Sequence, residues 1–93
     1  MAFFELPTTQ EEHIQVAKAI VQLTKVPHIT FMSRAMLANE SGIKDTKLRA
    51  VLQDMINNKE IEQYVVSSNP QRQRYFFVLT EKGRELLGYN GEV

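Results

Sequence analysis

Apolar positions recur along this chain with two periods, and the change from one to the other divides it into elements. Ile14, Ala17, Ile20, Val21 and Thr24 fall at helical spacing and predict a first helix through Lys25, stopped by Pro27. Thr8 or Thr9 is placed to cap it, and Glu11 or Glu12, three residues on, completes a capping box. Ile29-Thr30-Phe31 is a short β-prone run, expected as an edge strand. Ser33 then caps a helix from about Arg34 to Glu40 that buries Met36 and Leu37. Leu48, Val51, Leu52, Met55 and Ile56 make one apolar stripe on a longer helix, roughly Thr46 to Asn58. Asp45 is its expected N-cap, with its charge on the positive end of the helix dipole.

After Asn58 the period shortens. Ile61 to Ser67 and Arg74 to Thr80 are rich in β-branched and aromatic residues, and the polar run Ser68 to Gln73 between them has turn chemistry. The pair predicts a β-hairpin, with Tyr75 and Phe77 on one face and Phe76 on the other. Thr80 caps a last helix, Glu81 to about Leu87, which ends at Gly88.

The stretch from Ser33 to Asn58 has the spacing of a helix-turn-helix. Ala38 is small enough for two helices to approach closely, and Gly42 accepts the left-handed backbone of a tight turn. These elements describe one α+β domain over residues 1–93, mainly helical, with three helices, a hairpin and a short C-terminal helix. Its core covers about residues 9 to 88. Phe3, Phe4 and Leu6 in the segment 1–7 form an apolar cluster, which either folds back on its own domain or contacts a second copy. The tail 89–93 is expected to fray.

Composition narrows the chemistry. A chain of 93 residues with 43% hydrophobic and 24% charged residues is an ordinary small globular domain. It contains no cysteine, which excludes disulfides, cysteine zinc ligands and thiol catalysis. No apolar run approaches the roughly 18 residues of a membrane span, and the N-terminus does not have the pattern of a signal peptide, so a cytoplasmic protein without a membrane partner is expected. Net charge is zero, but from Lys44 to Arg84 there are eight basic and five acidic residues. That local excess lies in the helix-turn-helix and the hairpin.

Two passages carry a family resemblance: LANESGIKDTKLRAVLQDM (Leu37 to Met55) and YFFVLTEKGRELL (Tyr75 to Leu87). They resemble winged helix-turn-helix transcriptional regulators of bacteria and archaea, of the MarR-like and PadR-like kind, with this chain as a small single-domain member. The resemblance implies double-stranded DNA as partner and no cofactor. A homodimer on a palindromic site is expected from the weak binding of one copy, with Phe3, Phe4, Leu6 and helix 9–25 as the candidate surface. The additional terminal helices with which those families dimerise and enclose effectors have no counterpart here, so no effector pocket of that type is expected. In such proteins the helix at 45–58 enters the major groove and the wing at 67–74 lies on the backbone or in the minor groove. The implied DNA-binding residues are Lys44, Thr46, Lys47, Arg49, Ala50 and Gln53 on that helix, Ser33 and Arg34 before it, and Arg72 and Arg74 in the wing. Arg49 suits a guanine and Gln53 an adenine, while Lys44 and Lys47 suit phosphate. Asp45 and Asp54 would oppose phosphate.

An enzyme is not expected. His13 and His28 are the only histidines, neither has metal-ligand spacing to a carboxylate, and both are expected at the surface or a boundary. Ser41-Gly42 is turn chemistry without a partner base, and no glycine-rich phosphate loop exists. The alternative function is a winged helix used for protein contact. That reading predicts an apolar patch where the DNA reading predicts one continuous basic surface.

Overall fold

The structure, a computed structural model, describes residues 8–67, 69, 71 and 73–88. The expectations for Phe3, Phe4, Leu6, Arg72 and the tail 89–93 lie outside these residues. Among the described residues the order is α1 (Gln10–Thr24), α2 (Arg34–Ser41), α3 (Asp45–Asn57), β1 (Ile61–Ser67), β2 (Arg74–Leu79) and α4 (Glu81–Glu85). The fold is α+β: three helices, an antiparallel hairpin and a short closing helix.

Thr9 caps α1. The Glu12 N–H donates to Thr9 Oγ1 at 3.2 Å, and Glu12 Oε1 accepts the Thr9 N–H at 2.9 Å. The buried face of α1 is rotated from the expected stripe. Val16, Ala17, Ala19, Ile20 and Leu23 are buried, whereas Ile14 and Val21 are half-buried and Thr24 is exposed. His13 is also buried, which corrects its expected boundary position. It lies one turn before Val16 and Ala17 on the same face, so helical geometry carries it inward.

Ser33 caps α2 by accepting the Met36 N–H at 3.1 Å. Gly42 takes φ 77° and closes α2 with a 2.8 Å bond from its N–H to the Ala38 carbonyl. The turn therefore needs a left-handed residue, and glycine adopts that conformation without a Cβ penalty. α3 differs from expectation at its start. Lys44 is the N-cap residue and no side chain caps the helix; Asp45 is its first helical residue. Leu48, Val51, Leu52 and Met55 are buried as the stripe predicts, and Ile56 is half-buried.

Ile29-Thr30-Phe31 does not form the expected strand. A single ladder bond, Met32 N–H to the Tyr75 carbonyl at 2.7 Å, joins this segment to β2 before Ser33 turns the chain into α2. Among the described residues the sheet is thus the β1–β2 hairpin alone. Its register pairs Ile61 with Leu79 and Gln63 with Phe77, and Val66 is an extra residue between Val65 and Ser67. Such a bulge bends the strand and increases its twist near the hairpin tip.

The elements meet at residues 59–60. Lys59 has φ 62°, and the Glu60 N–H reaches back to the Met55 carbonyl at 2.8 Å, a Schellman ending for α3. The Glu60 carbonyl accepts the Thr80 N–H at 3.0 Å, and Thr80 Oγ1 donates to the Lys59 carbonyl at 2.7 Å. Thr80 Oγ1 also caps α4 by accepting the Gly83 N–H at 3.1 Å. α4 comes so close that a Cβ on Gly83 would lie 2.0 Å from the Glu60 carbonyl oxygen. The buried Glu60 side chain points the other way, and its Oε1 accepts the His13 Nδ1–H at 2.9 Å. His13 Nε2 is 3.1 Å from Thr8 Oγ1 and 3.3 Å from Asp54 Oδ2.

Because that Cβ would meet backbone atoms, Gly83→Ala is expected to destabilise the domain by about 1–3 kcal/mol or more. Gly88→Ala, with open space around its Cβ position but a φ of 61°, should cost less. Urea unfolding of both variants checks the order; equal losses would show that α4 does not seat against Glu60.

Candidate nucleic-acid interface

A cleft of about 410 Å³ opens between the N-terminus of α2, one flank of α3 and the hairpin. Each wall follows from the sequence. Ser33 ends the extended segment and starts α2, so Arg34 emerges at the cleft edge as its first helical residue. On α3, Arg49 and Ile56 are seven residues apart and share one flank, with Gln53 between them and further out. On β1, Gln63 follows the buried Ile61 by two residues and so shares its face.

The cleft has a layered chemistry. Its floor is apolar: Met32, Leu52 and Phe77 are buried, while Phe31, Ile56 and Tyr75 are half-buried. Its rim is polar and exposed: Arg34, Arg49, Gln53, Gln63, Gln73 and Arg74. No carboxylate lines it among the described residues. Three guanidiniums around an apolar floor make a site with positive potential, in which an anion is desolvated only on the side that meets the floor.

Local contacts orient the rim. The Arg74 guanidinium carbon lies 4.6 Å from the Phe31 ring centroid, a cation–π distance. Tyr75 donates its hydroxyl hydrogen to Gln73 Oε1 at 2.7 Å, which leaves the Gln73 amide N–H groups available. Gln53 Nε2 donates to Asn57 Oδ1 at 3.1 Å, which leaves Gln53 Oε1 available. Arg34 Nε is 3.6 Å from Asp45 Oδ1, and both side chains are about half exposed. An exposed pair of this kind is worth about 0–1 kcal/mol, so Arg34 can turn to a stronger anion.

The structure brings together Ser33, Arg34, Arg49, Gln53 and Arg74 from the set named by sequence. Lys44, Thr46, Lys47 and Ala50 do not line the cleft. Lys44 and Thr46 are exposed, and Ala50 is half-buried. Lys47 belongs to the opposite flank of α3, where its Nζ lies 3.4 Å from Glu12 Oε2 on α1. Asp54, seven residues later on that flank, accepts the Thr8 hydroxyl and faces His13. Neither aspartate of α3 lines the cleft: Asp54 turns to α1, and Asp45 lies outside the lining, 3.6 Å from Arg34 Nε at the cleft edge. The sequence reading missed Phe31, Gln63 and Gln73. Alternation along β1 was the available signal for Gln63; no local pattern marks Phe31 as a partner of Arg74.

Among the described residues no helix is long and apolar enough to cross a membrane, and no group of three His, Asp or Glu residues is arranged to hold a metal ion. His28 is exposed, with φ 70°. No protein-family model matches this sequence, and no curated protein matches it.

The Glu12 carboxyl is held below its ordinary value of 4.5, first by the Thr9 N–H it accepts and then by Lys47. A carboxyl depressed in the folded state adds stability above the unfolded value and loses it as pH falls through the lower folded value. Glu12→Gln should therefore lower the urea midpoint at pH 7, with the deficit shrinking as pH falls below 4.5. A deficit that stays constant over that range would assign the effect to lost packing.

Proposed function

We propose that this protein binds double-stranded DNA through a winged helix-turn-helix and acts as a small transcriptional regulator. The observation that supports the reading is the convergence of Arg34, Arg49 and Arg74 on a cleft between a helix and a hairpin that no carboxylate lines among the described residues. α2 and α3 are the helix-turn-helix and the β1–β2 hairpin is the wing. α3 enters the major groove, Arg49 reads a guanine edge and Gln53 an adenine edge. Arg34 and Arg74 meet phosphates on either side of the helix and fix its register. Lys44 and Thr46, at the start of α3, extend the phosphate contacts. Lys47 supports α3 through Glu12 and stays out of the interface. In this reading the protein is neither an enzyme nor a cofactor carrier.

The few phosphate contacts of one copy give weak, salt-sensitive binding, because each neutralised phosphate releases condensed counterions. Two copies on a palindromic site raise affinity by adding their contacts. A second reading, contact with another protein, is favoured by one feature. Tyr64, Val65 and Val66 on β1 are 50%, 57% and 48% exposed, next to one another on a strand whose outer edge has no partner among the described residues.

Selection of bound fragments from a random DNA pool at two salt concentrations separates the two. The DNA reading predicts an enriched, palindromic motif that weakens as salt rises; no enrichment at either salt favours protein contact. On the enriched site, Arg49→Ala should cost about 1–3 kcal/mol at one base position and relax preference there. Lys47→Ala should leave the ranking of sequences unchanged. A Lys47→Ala variant that loses sequence preference would move the interface to the other flank of α3.

A further inference from the structure

The cleft holds more than phosphate recognition requires. Duplex phosphates need cations at an open surface, yet the rim carries three glutamine amides and the floor carries Phe31, Tyr75 and Phe77. Amides offer a donor and an acceptor side by side, which suits the edge of a heterocycle. Gln63 makes no side-chain hydrogen bond among the described residues, and Gln53 and Gln73 each retain unused groups. Arg74 is positioned by Phe31 on one side and is exposed on the rest of its surface. A guanidinium held this way offers a flat face to an aromatic base. The cleft volume, about 410 Å³, falls in the range of small-ligand sites.

We propose that this cleft takes one unpaired nucleotide. Its base stacks on Arg74, which exchanges a duplex phosphate for that base, the amides of Gln63 and Gln73 meet the base edge, and Arg34 holds its phosphate, while Arg49 and Gln53 stay on the paired bases. The inference rests on the DNA reading and adds to it. The protein then prefers duplexes that carry an unpaired base, at an end or at a distortion, over fully paired ones. The same chemistry is present in a free nucleoside monophosphate, so the test includes that source.

Fluorescence anisotropy with the full chain compares three DNAs of one sequence: a fully paired duplex, the duplex with a single unpaired 3′ adenosine, and the duplex with an abasic residue in its place. Stacking of one base on a flat side chain favours binding whatever the sequence, so the unpaired adenosine should tighten binding about tenfold. The abasic residue, which adds the phosphate without the base, should not. Phe31→Leu keeps an apolar side chain while removing the ring behind Arg74, and should bring the overhang-to-duplex affinity ratio toward one. If excess adenosine monophosphate abolishes the overhang advantage, the cleft accepts the nucleotide from either source; if it does not, the strand is the source. Equal affinity for all three DNAs overturns the inference and leaves duplex binding intact. Equal gains from the adenosine and the abasic overhang also overturn it, because phosphate alone then explains the gain. Absence of binding to any of the DNAs overturns the inference together with the DNA reading, and binding to the overhang alone upholds the inference while removing the major-groove reading.

Discussion

Glu60 is the residue on which the arrangement depends. Its N–H closes α3 and its carbonyl accepts from Thr80 and abuts Gly83, while its carboxylate holds His13 of α1. Three elements distant in sequence are thereby tied at one position between a helix and a strand. The ties are directional, so they set orientation as well as proximity. A buried carboxylate is costly unless it is paired and hydrogen-bonded, and His13 meets that need at 2.9 Å. Truncating His13 would leave the buried Glu60 side chain without its hydrogen-bond partner, and an orphaned buried polar group costs more than the bond's own net worth.

This joint fixes how α3 is rolled about its axis. One flank, with Lys47 and Asp54, faces α1 and is occupied by Glu12, His13 and Thr8. The other, with Arg49 and Ile56, faces the hairpin and builds the cleft. The electrostatic outcome follows from that roll. The chain is neutral as a whole, but Asp54 is turned to one side and Asp45 lies outside the lining, so the cleft collects guanidiniums without carboxylates among the described residues. Net charge alone gives no hint of this separation; the placement of four residues on α3 produces it.

The elements were legible in the sequence because their signals are local. Thr9, Ser33 and Thr80 cap helices through their own side chains, and Gly42 is required by a left-handed turn. The stripe Leu48, Val51, Leu52 and Met55 has one period and one buried face. What was not legible depends on contacts between distant residues. The stripe on α1 was placed at Ile14, Ala17, Ile20, Val21 and Thr24, while packing selects Val16, Ala19 and Leu23 beside Ala17 and Ile20. Helical geometry carries His13 to that face, and the partner that satisfies its buried ring, Glu60, lies 47 residues away. Lys47 resembled a solvent-facing recognition residue until Glu12 was placed beside it. Asp45 had the composition of an N-cap, yet the helix starts one residue earlier and the carboxylate pairs with Arg34. Gly83 carried no visible reason in sequence; the 2.0 Å approach to the Glu60 carbonyl supplies one.

The central claim is that nucleic acid meets the hairpin-facing flank of α3 and leaves the α1-facing flank alone. Side-chain and amide chemical-shift mapping of the folded protein, titrated with duplex DNA, tests it most directly. The account predicts shifts at Arg34, Arg49, Gln53, Gln63 and Arg74, with Lys47 and Asp54 unchanged. Shifts centred on Lys47 and α1, or no shifts while Tyr64 to Val66 respond to a protein partner, would contradict it.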